Sequence, residues 1–408
     1  MDIRVIFIAA AMGIFALWLL YRAGLMNSPL RAGLCIALMA LSLGLRLAVF
    51  DYETLDYQNF LAHWVEFFRQ NGGFAALDTP VGNYNIPYLY FLALFSYSDI
   101  NDLYLIKLLS VFFDLILCWS ATLLAGRFTE SAGRKIALFF TALMWPTVFL
   151  NGALWGQCDS SYVALLVLGI YLALDERPVL SMVCAALAFG FKLQAVFILP
   201  VWAALWFMGK IKFRHFLVFP VVYVILVLPA VIAGRPFWDT ITLYFNQTGS
   251  IGDGLNYNSP SAFAFFQYSL PEQYHELACQ LGIGAAFIFM LGLLAICYVN
   301  RKVLTDSSIL AAALLFAIGI PYLLPHMHDR YFFGADALSL VLAFVSPVCA
   351  AVALCVEFAS FLGYHAYLKM RYLLLMDRGA WALLAALVIV GVFFARSMGQ
   401  KEAPKKIE

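Results

Sequence analysis

The chain has 408 residues, of which 64% are hydrophobic and only 12% charged, and its mean hydropathy is +0.88. A water-soluble domain carries about 25% charged residues, so this composition excludes one and describes an integral membrane protein. The net charge of +1 leaves no basic field for nucleic acid.

Taken in order, apolar runs that suit a bilayer lie at about 5–21, 31–50, 103–126, 135–151, 160–174, 179–191, 193–208, 214–233, 277–299, 308–325, 331–346, 347–364 and 379–396. Residues 5–20 have the length of a signal-peptide core. No small-residue cleavage site follows and a second run comes at once, so they read as the first transmembrane helix. The expected fold is an all-α polytopic membrane protein with about 11–13 transmembrane helices. Pro200, Pro229, Pro321, Pro325 and Pro347 interrupt runs, which is tolerated where neighbouring helices or a wet cavity satisfy the freed backbone groups. No internal repeat and no long linker is visible. Residues 1–400 are therefore expected to form a single transmembrane domain, with 401–408 as a cytoplasmic tail. The eight cysteines lie mostly inside apolar runs and at no metal-ligand spacing, so they read as small hydrophobes.

Basic residues in the connections set the orientation. Arg22 and Arg31, Arg127 to Lys135, Lys210 to Arg214, Arg301 and Lys302, and Lys401 to Lys406 share one side if the N-terminus is outside. The other side then carries external loops at 51–97 and 234–276, with Asp159 and the stretch from His326 to Asp336, and is acidic. Asp175-Glu176-Arg177 and Lys369 to Arg371 run against this pattern. The protein is expected in the plasma membrane as a multi-pass chain, with the acidic, polar loops on the extracytoplasmic face.

The loop at 51–97 opens with Asp51, Glu53 and Asp56 within six positions. Tyr57, Phe60, Leu61, Trp64, Val65 and Phe68 then recur at helical spacing, with Gln58, Asn59, His63, Glu66 and Arg69 on the other face. Asn71-Gly72-Gly73 ends that helix. An acidic entry to an aromatic helix suits an enzyme working where lipid meets water, and equally an amphipathic loop lying on the membrane surface. Pro87 to Phe95 is too short to cross and reads as a half-helix returning toward the bilayer.

Three further clusters interrupt apolar sequence. Asn151-Gly152-Ala-Leu-Trp155-Gly156-Gln157-Cys158-Asp159-Ser160-Ser161 offers a flat ring, a close turn and an acid suited to sugar hydroxyls, although Asp159 before an apolar run is also an ordinary helix cap. Lys192 lies in an apolar region, where it either faces an anion such as a lipid phosphate or snorkels from a helix end. His326-Met327-His328-Asp329-Arg330 is the densest ionisable cluster. His-x-His could ligate a metal, but no third ligand lies nearby in sequence, and the Arg330 fork favours phosphate. No metal or cofactor is expected. No Gly-rich phosphate loop, Gly-x-Ser-x-Gly elbow, Cys-x-x-Cys pair or His-Glu-x-x-His helix is present.

These motifs together resemble a family. Asp56-Tyr57-x-x-Phe60-Leu61-x-x-Trp64, Asn71-Gly72-Gly73-Phe74, Asn83-Tyr84-Asn85-x-Pro87-Tyr88-Leu89-Tyr90, the Trp155 to Ser160 turn, Lys192-x-Gln194 and Met327 to Phe333 are similar to bacterial members of the GT-C glycosyltransferase superfamily. The branch they resemble is related to the second mannosyltransferase of GPI-anchor synthesis, and the similarity runs over residues 45–345. The resemblance implies a GT-C-like helix bundle with re-entrant or interfacial helices in its external loops. It also implies a polyprenyl-phosphate sugar as donor and a glycan or glycolipid as acceptor on the non-cytoplasmic side. By the same likeness, Asp56 is the catalytic base, and Lys192, His326, His328 and Arg330 hold the donor phosphate. Tyr57, Trp64, Tyr84, Trp155, Gln157 and Asp159 bind acceptor and sugar. Where many GT-C proteins have Pro after the intramembrane Lys, this chain has Leu193.

The chemistry so implied is transfer of a hexose, with mannose the sugar of the nearest branch, by an inverting glycosyltransferase. A phosphate is already a good leaving group, so one carboxylate suffices to take the acceptor proton. An interfacial aromatic belt is the plainer reading of the rings. No obligate protein partner is expected. The competing functions are a transporter or flippase, or a polymerase or ligase, of lipid-linked saccharides. A transporter predicts an internal repeat and acids near the bilayer midplane, whereas the acids here cluster at loop ends.

Overall fold

A computed structural model describes residues 2–246, 254–266 and 269–399; the expected tail at 401–408 and part of the expected loop at 234–276 lie outside the described residues. The protein is an all-α polytopic membrane protein whose only strands, among the described residues, are two short ones. Its helices are α1 (Ile3–Arg22), α2 (Pro29–Leu47), α3 (Ala62–Gln70), α4 (Ile86–Phe95), α5 (Asp102–Ala125), α6 (Ala132–Met144), α7 (Pro146–Phe149), α8 (Asp159–Leu174) and α9 (Pro178–Phe191). They continue with α10 (Val201–Phe207), α11 (Val218–Ala233), α12 (Phe237–Ile241), α13 (Leu243–Asn246), α14 (His275–Val299), α15 (Asp306–Leu323), α16 (Phe333–Val345), α17 (Ala350–Lys369) and α18 (Met376–Ser397).

Among the described residues, eight helices (α1, α2, α5, α11, α14, α15, α17 and α18) are long and apolar enough to cross a membrane, or nine if α6 and the bent segment Pro146–Trp155 form one span. Four shorter apolar segments, Asp159–Leu174, Pro178–Phe191, Leu193–Phe207 and Phe333–Val345, account for the remaining runs, and a fifth, Ile86–Phe95, covers the short stretch from Pro87 to Phe95. The bend of 51° falls at Trp145-Pro146, where Pro has no N–H and pushes the preceding residue out of the helical region. Pro229 and Pro321 behave differently, since each lies inside a continuous helix. Ile3, Phe7, Ile14, Ile232, Leu281, Ile288 and Val388 project from these helices fully or largely exposed, an arrangement that only a lipid solvent favours.

Local chemistry marks the helix starts. Ser28 caps α2 just before Pro29, Asn85 caps α4, Asn101 caps α5, and Thr305 with Ser308 forms a capping box on α15.

The chain divides into two compact units. The first comprises Met1–Tyr171, Val179–Ala195 and His215–Gly252; the second comprises Leu172–Pro178, Val196–Arg214 and Asp253–Glu408. In the first unit the loop after α2 folds onto α4 and α11. Leu61, Val65, Phe68, Leu77, Ile86, Leu89 and Leu92 share one core with Tyr223, Val227 and Ala230, and Tyr57, Trp64 and Tyr84 pack on it. Burial of each large side chain there contributes about 1.5–3 kcal/mol. In the second unit α15 is the central helix, with α14, α16 and α18 around it and α17 against α16 and α18. The strands Asn256–Tyr257 and Met327–His328 pair in parallel, with Asn256 opposite Met327 and Tyr257 opposite His328.

Candidate active site

Asp56 sits at the mouth of the loop, half-buried, immediately before a wide helical turn at Tyr57–Leu61. What places it there is a clamp on the preceding chain. The ammonium of Lys107, fully buried on α5, donates to the carbonyls of Val49, Phe50 and Tyr52 at 3.2, 2.9 and 2.6 Å. Thr54 then donates to the Trp155 carbonyl and accepts from the Tyr57 amide, each at 3.4 Å. Asp51 and Glu53 are exposed and engaged nearby, Asp51 accepting from the Tyr104 hydroxyl and Glu53 from Gln58.

One carboxylate oxygen of Asp56 accepts from the Trp155 indole Nε1 at 3.0 Å and from Gln157 Nε2 at 2.6 Å. Both donors come from the turn that leads into α8. Gly156 makes that turn with φ +77°, a conformation glycine adopts without strain. Trp155 and Gln157 are buried, so the two hydrogen bonds hold the acid in one orientation. Gln157 in turn accepts from the Tyr84 hydroxyl at 3.1 Å. Tyr84 packs edge-on to Trp64 (centroids 5.6 Å apart) and against Tyr88 at 4.7 Å. Gly82 lies flat on the Trp64 ring, with no room for a Cβ. Burial, and next the charges of Asp102 and Glu53, push the Tyr57 hydroxyl above its usual range, so it stays a neutral donor.

Below this wall, Lys192 forms a buried ion pair with Asp159, whose second oxygen accepts from Asn151 at 2.8 Å. The Lys192 ammonium also lies 5.8 Å from the Tyr84 ring centroid. Asp159 therefore does more than open α8. Ser160, its neighbour, donates to Asp114 on α5, and Asp114 faces Arg46 of α2 at 3.4 Å. Gly152 is pressed against the Asp114 carboxylate, with no space for a side chain. Asp56, Tyr57, Trp64, Tyr84, Trp155, Gln157, Asp159 and Lys192 thus gather in the first unit as one connected group.

His326, His328 and Arg330 belong to the second unit. His326 takes φ +59°, its Nδ1 is 2.7 Å from the Gly254 carbonyl and its Nε2 is 3.4 Å from the Cys279 sulfur. His328 stacks on Tyr257 at 4.7 Å, in the strand partner's register, and packs on Tyr331 at 5.1 Å. Arg330 lies 3.4 Å from the carboxylate of its neighbour Asp329. Among the described residues, no group of three or more His, Cys, Asp or Glu side chains is arranged to hold a metal ion.

Arg46, Lys107 and Asp114 were not among the residues expected at the site, and Asn151 was expected only as part of the polar cluster before α8. Arg46, Lys107 and Asp114 did carry a signal, since each is a charge inside an apolar run. The pairings themselves, across 46 to 68 positions, carried none.

A search of curated proteins gives no match. Residues 92–208, which include Asp114, the Asn151 to Asp159 turn and Lys192 but neither Asp56 nor His326 to Arg330, match the family described as alpha-(1->6)-mannopyranosyltransferase, N-terminal domain, and this match supports a mannosyltransferase-type glycosyltransferase.

Proposed function

We propose that this protein is an inverting mannosyltransferase that moves the sugar of a polyprenyl-phosphate donor to a hydroxyl of a glycan or glycolipid acceptor, on the extracytoplasmic face of the membrane. One observation carries the reading: a half-buried carboxylate, Asp56, held by two buried donors, Trp155 and Gln157, beside an aromatic wall suited to a sugar face.

In this reading Asp56 accepts the acceptor hydroxyl proton as the oxygen attacks the anomeric carbon. The bond from that carbon to the phosphate oxygen breaks, and its electron pair leaves with the lipid phosphate. A positioned base contributes about 10²–10⁴-fold to such a step. Tyr57, Trp64, Tyr84 and Trp155 bind the sugar and acceptor. The Lys192–Asp159 pair keeps the floor beneath Tyr84 neutral overall while presenting a cation to its ring. In the second unit, His326, His328 and Arg330 are proposed as ligands for donor phosphate on their chemistry.

The test is transfer by Asp56→Asn and by wild type across a panel of polyprenyl-phosphate hexoses. The wild type is expected to consume the mannose donor, and the variant to fold and turn over at least about 100-fold more slowly. Wild-type turnover by Asp56→Asn removes this residue from the mechanism. Consumption of a different hexose alone replaces the sugar.

A further inference from the structure

Arg235 stands two residues beyond the end of α11 and is 95% buried, at 5% exposure. Among the described residues its Nε and Nη1, sealed from solvent, have no hydrogen-bond partner, and its guanidinium forms no ion pair. Guanidinium does not lose its proton in a protein, so a largely desolvated charge sits here with its Nε and Nη1 donors unused, which costs free energy until an anion arrives. Nearby acids do not fill that role. Asp239 lies on the short helix α12, which packs back on α11, and lends only an electrostatic pull. Asp78, whose Cβ would touch a side chain added at Gly234, is exposed and accepts from Thr79. Burial pulls the Arg235 guanidinium below its ordinary range, with Asp239 acting the other way. The carbonyl end of α11 supplies a diffuse negative potential but no hydrogen bond to this side chain.

The surroundings say what kind of anion fits. α11 is an apolar span, so its end lies at the depth of lipid phosphates. Ile232 and Trp238, on either side of Arg235 in sequence, are 77% and 72% exposed and give an apolar surface for a lipid chain. The same helix backs the aromatic wall, since Tyr223 accepts from Asn85, and Val227 and Ala230 share the core on which Trp64 and Tyr84 pack.

We propose that Arg235 is a ligand of the phosphate of a polyprenyl-phosphate lipid, bound at the membrane-interface end of α11. This rests on the mannosyltransferase reading for the identity of the lipid. A guanidinium fork matches two phosphate oxygens at once, whereas an ammonium would not.

The full-length protein in phosphatidylcholine nanodiscs tests it, with polyprenyl phosphate, phosphatidylglycerol and inorganic phosphate as separate probes, read as affinity and as thermal shift. Wild type is expected to bind polyprenyl phosphate, and Arg235→Gln to bind it roughly 10–100-fold more weakly. Empty Arg235→Gln should unfold no earlier than wild type, because an unpaired buried charge has been removed. It should also lose the stabilisation that the lipid gives. A merely structural arginine predicts the reverse, an earlier unfolding with the lipid response intact. Unchanged affinity in Arg235→Gln overturns the proposal. Equal competition by phosphatidylglycerol overturns the polyprenyl assignment, and equal competition by inorganic phosphate overturns the lipid. Should the Gln variant not fold, Arg235→Lys keeps the charge and loses the fork, and unchanged affinity there is equally fatal. Asp56→Asn is expected to lose transfer and keep binding. Absence of polyprenyl-phosphate binding by wild type itself would defeat the reading of function along with this one.

Discussion

Two hydrogen bonds onto one carboxylate oxygen decide what Asp56 can do. Trp155 and Gln157 fix the plane of the acid, so its approach to an acceptor hydroxyl is set before substrate arrives. Trp155→Phe keeps the ring and removes the donor. A hydrogen bond to a charged group is worth about 1.5–3 kcal/mol, so transfer should slow roughly 10–100-fold with the fold intact, as steady-state kinetics and a melting curve would show. An unchanged rate would mean that Gln157 alone holds the acid. The Lys192–Asp159 pair obeys a different balance, since both partners are buried, at 7% and 1% exposure. Lys192→Met takes the countercharge from a buried carboxylate, and should destabilise the protein by about 3–5 kcal/mol. Lys192→Met with Asp159→Asn should recover most of that loss, because the uncompensated charge goes too. A double variant no more stable than the single one would show that the pair does not act as a unit.

Elements bring these residues together through their irregular parts rather than their regular ones. The break at Trp145-Pro146, the wide turn at Leu150–Trp155 and Gly156 at φ +77° turn the chain so that Trp155 and Gln157 face Asp56, some 100 residues earlier. Gly156→Ala puts a side chain in a left-handed conformation, at a cost of roughly 1–2 kcal/mol, and should lower both stability and transfer. The clamp by Lys107 is the second such device. Lys107→Met strips three carbonyls of their common donor, and amide exchange over residues 49–56 should then rise while the helices stay protected. Unaltered exchange in that stretch would show that the loop keeps its shape by itself. The sequence made the spans legible because a run of about 20 apolar residues has few other uses. It singled out Lys192 and the Trp155–Gln157–Asp159 turn because polar residues inside apolar sequence need a reason, whereas Asp56 was singled out by the family resemblance. It hid the Lys107 clamp and the Arg46–Asp114–Ser160 group, whose meaning lies in partners from distant helices. Pro229 and Pro321 misled as helix breaks, since continuous helices accommodate both.

At the scale of the molecule, the proposal requires the loop that carries Asp56 to face away from the cytoplasm, where the basic connections are expected to lie. Helix α5 offers a direct test, because it is a single apolar span of 24 residues. Thr79 lies on the chain before it and Glu130 on the connection after it; both are exposed, the Glu130 side chain at 94%. Arg127, Arg134 and Lys135 surround Glu130, while Asp51 to Asp78 precede α5, so charge assigns these two positions to opposite sides. Among the native cysteines only Cys279 and Cys355 are not buried, and replacing these two leaves a quiet background for labelling. In intact cells a membrane-impermeant maleimide should then react with Thr79→Cys and not with Glu130→Cys, and lysis should reverse the protection of the second. Labelling in the opposite order would invert the chain and put Asp56 on the cytoplasmic side, where soluble sugar nucleotides are the usual donors. A polyprenyl-phosphate donor would then lose its physical rationale, since such a lipid matters to an enzyme whose site faces a compartment without activated soluble sugars.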